Sequence, residues 1–279
     1  MINKKDSLIN ITEAEKKSFF RDGYHVIPSL LSCDKAKRFR YEINKLFNFP
    51  EEDIKSEDIS YRTYALADGV TKKSEFWPII FNEKLLSTIR GLIGHNIRYV
   101  QHSDLHINLG GGRYHRDSCC RKFGTEPDWD ESVEPYKIVR VAIYLSDYKD
   151  SGSSLELLPS SHKRESWLNQ IEYTIWNKIR VKFRKLGLNE FLPHWFLSRK
   201  KITIKTKPGD CIIFDQRLMH AGGDLGKKDY PKYAIYLAFG IDNSHTRNHR
   251  NFYQDRPTYE KNISNDLKVM LKEKNLLLE

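Results

Sequence analysis

The sequence predicts a mainly β protein flanked by helices, and three observations carry that prediction. From about residue 97 the apolar period falls from the helical 3.6 to two. The strand-like runs are short, rich in β-branched and aromatic residues, and mostly bounded by turn residues. They show no regular alternation with helices, which argues for an antiparallel sandwich or barrel over a parallel sheet.

The first third is helical. "NITEAEKKSFFRDG" places Thr12 and Glu15 in capping-box spacing, Phe19 and Phe20 on an apolar side, and Gly23 as a stop. "HVIPSL" is a short strand. "SCDKAKRFRYEINKLFNF" then repeats Phe39, Ile43 and Phe47 at helical spacing. A polar linker is expected from 50 to about 73. The strands that follow are "IRYVQHSDLHINL", "KIVRVAIYLSD", "SSLELLP", "KKITIKTK", "DCIIFDQ" and "YAIYLAFGI". One helical segment interrupts them, with Leu168, Ile171, Ile175 and Ile179 on one face, ending near Gly187. The expected organisation is a single domain over 1–279. It has a helical N-terminal layer (about 1–95), a β core (about 96–243) holding a helical insertion (about 165–200), and a C-terminal extension (244–279).

The 279 residues suffice for a sizeable core. No apolar run approaches the roughly 20 residues of a membrane span, and the mean hydropathy is −0.64. The N-terminus lacks the apolar core of a signal peptide. Cys33, Cys119, Cys120 and Cys211 show no disulfide framework and read as reduced thiols of a cytosolic protein. The net charge of +10 fits a solvated basic surface or a small anionic substrate. Nucleic acid stands behind these, because no zinc-finger, RNA-recognition or helix-turn-helix pattern accompanies the basic stretches. No feature sets an oligomeric state.

The chemistry centres on "GGGRYHRDSCC". In an extended segment, positions i and i+2 share a face, so His115 and Asp117 can offer an imidazole nitrogen and a carboxylate oxygen to one ion. About 100 residues later, "KPGDCIIFDQRLMHAGG" supplies a turn, a strand and His220. Two histidines and one carboxylate form the facial triad of non-haem Fe(II) oxygenases, which leaves adjacent positions open. A structural zinc site would fill them.

In "QHSDLHINL", His102, Asp104 and His106 alternate along one face, with Asn108 beyond them. Three ligands on one straight strand span about 13 Å, so this row is expected to line the barrel and meet substrate or co-substrate rather than hold metal. On "VRVAIYLSD", Arg140, Ala142 and Tyr144 share a face. An arginine in so apolar a strand needs an anion, either a bound ligand or an internal carboxylate. His162, His194 and Trp195 are read as turn, core or surface residues.

These pieces, in this order, resemble the phytanoyl-CoA dioxygenase family of Fe(II)/2-oxoglutarate-dependent oxygenases. "FFRDGYHVIPSLLSCDKAKRFRYEI", "INLGGGRYHRDS", "VRVAIYLSDYKDSGSSLELLPSSHK" and "KPGDCIIFDQRLMHAGG" followed by "KYAIYLAFG" carry the resemblance over most of the chain. It implies a double-stranded β-helix, the cupin-like jelly roll, flanked by helices. It further implies iron held by His115, Asp117 and His220, and oxidation driven by O2 as 2-oxoglutarate becomes succinate and CO2. With Asp117 present, hydroxylation or another oxidation is favoured over halogenation, for which related halogenases carry a small residue there.

The family usually holds the distal carboxylate of 2-oxoglutarate with an arginine after the last histidine. Here the matching residue is Lys232, which keeps the charge and lacks the planar fork. Arg140 is the substitute, and Asn108 is a further candidate for co-substrate contact. His102, Asp104, His106 and Tyr144 are the candidates for substrate contact. The expected activity is dioxygenase hydroxylation of a small anionic metabolite. The alternatives are a jelly-roll metalloprotein without oxygenase activity and a nucleic-acid-acting oxygenase.

Overall fold

The computed structural model describes residues 11–59, 62–108, 114–118, 131–132, 134–163, 167–186, 188, 200–223 and 229–279. Nine strands are present among them: β1 (Tyr24–Ile27), β2 (Tyr64–Ala67), β3 (Ile97–Ile107), β4 (Ile138–Tyr144), β5 (Leu155–Leu157), β6 (Ile202–Thr203), β7 (Cys211–Asp215), β8 (His220–Gly222) and β9 (Tyr233–Ile241). The larger sheet has the order β1-β7-β4-β9-β3-β2 and the smaller β6-β5-β8. Every pairing is antiparallel.

The larger sheet is covered on both faces, so β4 and β9 are apolar apart from Arg140. All seven residues of β4 are buried. On one face Val139, Val141 and Ile143 join Ile235, Leu237 and Phe239 against the helices. On the other, Ala142, Tyr144, Ala234 and Tyr236 meet Leu155 and Leu157 of the smaller sheet. That second face is the barrel interior. Arg140, Lys232, Asp104 and His106 project there by the strand period of two.

The helical layer forms for local reasons. Helix Glu13–Asp22 has the predicted capping box at Thr12, and Gly23 ends it in the left-handed conformation at φ 88°. Helix Cys33–Leu46 is capped by Ser32. Helix Glu83–Ile93, capped by Asn82, buries Leu85, Leu86, Ile89 and Leu92; it lies in a stretch to which the sequence reading gave no element. The supposed polar linker also holds structure, since β2 pairs with β3 from Tyr64–Ile107 to Ala67–Asp104. Tyr64 and Leu66 pack on the core while Ala65 between them is exposed, so this edge strand of four residues is too short to show a period of its own.

Helix Trp167–Lys185 forms as predicted, but its apolar stripe does not face the barrel. Leu168, Ile171 and Ile175 are 58%, 47% and 50% exposed, while Tyr173 is buried. The facing side is chosen by Asn177, whose amide oxygen accepts from Tyr114 N at 2.9 Å and whose amide nitrogen donates to Tyr114 O at 3.0 Å. Two hydrogen bonds to backbone outweigh an unspecific stripe here. No helix among the described residues is long and apolar enough to cross a membrane.

Candidate metal centre and its cavity

The Pro208-Gly209-Asp210 turn starts the strand that leads to His220. Gly209 takes φ 91°, and a Cβ there would lie 2.1 Å from Leu31 O, so glycine is required. Asp210 ties the turn by accepting from Lys207 N at 2.8 Å and Ser29 N at 2.9 Å. The chain then runs through β7 and returns as β8.

His220 pairs with His115 as an antiparallel bridge. His115 N donates to His220 O at 2.9 Å and His220 N to His115 O at 3.0 Å. Asp117 N donates to Gln216 O at 2.9 Å. Between them Arg116 turns the other way, its Nε donating to Arg217 O at 2.8 Å. The i, i+2 alternation therefore puts His115 and Asp117 on one side, facing His220.

The donor atoms of His115, Asp117 and His220 all lie within 4.8 Å of one another, the one such group found among the described residues. His115 Nε2 is 3.6 Å from Asp117 Oδ1, and His220 Nε2 is 3.6 Å from Asp117 Oδ2. The His220 Nδ1 sits 2.9 Å from Leu218 O, which fixes that nitrogen as the donor and leaves the Nε2 lone pair facing Asp117. Burial, with His115 nearby, pushes the His220 imidazole down to about 4, so it stays neutral and able to ligate near pH 7. Two imidazoles and one carboxylate suit a divalent first-row metal at about 2.0–2.2 Å per ligand.

A cavity of about 380 Å³ opens beside these three residues. His102, Asp104, His106, Arg140 and Tyr236 line it from the larger sheet. The row on β3 is not straight: the pairing with β9 slips by two residues between Val100 and Asp104. His102 stacks on Tyr253, ring centroids 3.5 Å apart, with its Nδ1 3.0 Å from His249 Nε2. His106 lies against Tyr236 at 4.9 Å. Burial, reinforced by Lys232 and Arg140, pushes His106 down to about 3. None of the row joins the metal group.

Arg140 is engaged internally. Its terminal nitrogens donate to Asp104 Oδ2 and His102 O, and its Nε is 3.5 Å from Asp117 Oδ2. Burial opposes its charge, and Asp104 and Asp117 more than offset this, holding it protonated. Asp104 is raised by burial to about 6 and held back from rising further by Arg140 and by Tyr259, whose hydroxyl donates to Oδ1 at 3.0 Å. Arg140 thus takes the internal-carboxylate branch of its two expected roles.

Lys232, Asn108 and Tyr144 stand apart from the residues lining the open cavity. Asn108, at φ 55°, accepts from Lys232 N at 3.0 Å, and its own N donates to Lys232 O at 2.8 Å. This clasp sets the start of β9 and buries the Lys232 side chain, 1% exposed, in the barrel interior. Burial lowers the ammonium to about 8. Tyr144 is fully buried, its hydroxyl 3.5 Å from that of Tyr236.

The glycines 110–112, Cys119, Cys120, His194 and Trp195 lie outside the described residues. His162 is buried near Gly23, its Nε2 3.2 Å from Phe20 O, away from the metal group. The sequence reading missed Tyr253, Arg256 and Tyr259, which line the cavity from the C-terminal extension. The signal available was the aromatic spacing of "NFYQDRPTY", a segment with no role assigned beyond the C-terminal extension.

Residues 19–226 match the family described as phytanoyl-CoA dioxygenase. The chain belongs to the phytanoyl-CoA dioxygenase family. It is an iron- and 2-oxoglutarate-dependent dioxygenase on a jelly-roll fold. Among curated relatives, an ectoine dioxygenase of Streptomyces avermitilis is 26% identical over 245 residues, covering 82% of this chain and 78% of the relative. Among solved structures, EctD from S. alaskensis with 2-oxoglutarate and 5-hydroxyectoine superposes with a TM-score of 0.54 at 17% identity, covering 87% of this chain and 79% of that one. The epimerase SnoN in complex with Fe3+, alpha ketoglutarate and nogalamycin RO gives 0.58 at 14% identity, covering 90% and 92%. The family match holds the three metal-group residues and stops before β9 and the C-terminal helices.

Proposed function

We propose that this family member hydroxylates a small metabolite carrying an anionic group, using Fe(II) held by His115, Asp117 and His220. The carrying observation is the His115–His220 bridge with Asp117 between the two Nε2 atoms. Bound iron, with 2-oxoglutarate and O2, supplies the oxidising power that replaces a substrate C–H bond by C–O. The chain's own residues supply geometry. Leu218 O fixes the His220 tautomer, and Arg140 beside Asp117 limits that carboxylate's rotation. The walls of β3 and β9 surround the reacting centre with a partly dry cavity.

Lys232 is proposed to meet the distal carboxylate of 2-oxoglutarate, with Asn108 holding Lys232 in place and Tyr144 packed deeper in the same interior. A buried ammonium lowered by burial gains most from a carboxylate brought beside it. The chain is read as one catalytic domain, because the extension 244–279 contributes to the cavity wall. Ectoine, named for the relatives, is the first metabolite to test. A cytosolic setting is inferred from the cysteine usage alone.

The test is succinate release that requires both Fe(II) and 2-oxoglutarate, measured with a panel of small metabolites. Alanine at His115, Asp117 or His220 is expected to lower it by at least a hundredfold. Release that continues in all three variants would remove the proposed ligand set.

A further inference from the structure

The cavity is short of one thing an anionic substrate needs, since its most prominent cation is already matched. Arg140 is bound to Asp104 and His102 O and faces Asp117. A second guanidinium reaches the same cavity from outside the family-matched residues. Arg256 follows helix Ser244–Gln254 and lines the cavity with the metal group. It has neither an ion pair nor a side-chain hydrogen bond among the described residues.

Its position is built. Asn243 caps the helix by accepting from Thr246 N. Gly240 lets that first turn lie on β9, because a Cβ there would be 2.5 Å from Thr246 Oγ1. Tyr253, 2% exposed, stacks on His102 and donates to Asp117 O at 3.3 Å. The Arg256 guanidinium carbon then lies 4.3 Å from the Tyr253 ring centroid and 4.9 Å from that of Phe252. Two rings hold the guanidinium by cation–π contact and leave its N–H edges free for a planar oxyanion.

Lys232 and Arg256 stand at opposite ends of the β3 row. Lys232 is clasped to Asn108 at one end, and Arg256 is joined through Tyr253 to His102 at the other. His102 and Asn108 are six residues apart in the chain, with the irregularity between Val100 and Asp104 on the His102 side. Arg256 and the metal group line one cavity, and Lys232 lies outside its lining.

We infer that Arg256 is the specificity-determining residue that receives the carboxylate or phosphate of the substrate, while Lys232 serves 2-oxoglutarate. This rests on the oxygenase reading above. It assigns the choice of substrate to the C-terminal extension, and it names the substrate class as a small molecule with an anionic group remote from the oxidised carbon.

The full chain loaded with Ni(II) and 2-oxoglutarate is titrated calorimetrically with ectoine, benzoate and phenyl phosphate, and with benzamide as the neutral counterpart of benzoate. At least one anion is expected to bind the wild type at least tenfold more tightly than Arg256→Gln, with benzamide indifferent to the change. Arg256→Lys should recover part of the affinity, and added salt should weaken it, which a purely structural arginine would not show. Equal responses of wild type and Arg256→Gln to ectoine, benzoate and phenyl phosphate, absence of binding included, overturn the inference. Loading is read separately: if 2-oxoglutarate itself fails to bind the Ni(II) protein, the oxygenase reading falls, and if it binds while the anions ignore Arg256, only the inference falls.

Discussion

At the residue scale, Asp117 sits between two imidazole nitrogens at 3.6 Å each and one guanidinium nitrogen at 3.5 Å. Arg140 is therefore part of how the metal group is held, and its loss leaves Asp104 and Asp117 facing each other in a buried space. Arg140→Ala is expected to weaken Fe(II) binding and stability together, by the 3–5 kcal/mol typical of breaking a buried pair, about, with urea unfolding as the check. Lys232→Ala should instead raise the KM for 2-oxoglutarate by about tenfold to a hundredfold, the equivalent of roughly 1.5–3 kcal/mol for a charged hydrogen bond. Fe(II) affinity should hold. Because the ammonium is lowered to about 8, 2-oxoglutarate binding by the wild type should weaken toward tenfold per pH unit above that value. Flat affinity from pH 7 to 10 would take Lys232 out of the site. The grouping of His115, Asp117 and His220 was legible because their types and spacing carry the chemistry directly. Arg140 was legible only as a residue needing an anion, since its partner Asp104 sits 36 residues away and nothing local links the two.

At the scale of the element, helix Trp167–Lys185 shows how an apolar period misleads. The stripe Leu168, Ile171, Ile175 is exposed, and the contact side runs through Tyr173, Trp176 and Asn177 onto Tyr114, the neighbour of His115. Asn177→Leu is expected to lower stability by about 1–3 kcal/mol, because it strands the two backbone groups of Tyr114. Ile171→Ser should cost less than about 0.5 kcal/mol, as exposed substitutions do. Chemical denaturation separates the two, and a reversed order would mean that the stripe does face the core. The helix start at Thr12 was readable because a cap is a local event. Strand β2 was not, because its reason to be a strand is the edge of β3, about forty residues on.

At the scale of the whole molecule, the barrel interior gathers ionisable groups whose burial sets a pH response. His220 and His106 are pushed down to about 4 and about 3 from an ordinary 6.5. In that window the unfolded chain binds more protons, so stability falls as pH drops below about 6.5. For Lys232, depressed to about 8 from 10.5, the same inequality holds between those values, and ligand-free stability gains a contribution as pH rises through them. Unfolding of the metal-free protein across pH should show both limbs. The antiparallel core was legible from period and composition. The cavity was only half legible, because Tyr253, Arg256 and Tyr259 reach it through a chain reversal that no local pattern encodes.

The central claim is that His115, Asp117 and His220 together hold the iron to which 2-oxoglutarate binds. Its most direct test is the visible charge-transfer absorption of the anaerobic Fe(II)–2-oxoglutarate complex, titrated in the wild type and in the three single alanine variants. The wild type should develop the band at one iron per chain, and His115→Ala, Asp117→Ala and His220→Ala should each lose it or form it only at much higher iron. A band of undiminished intensity and affinity in the variants, or none in the wild type, would contradict the account.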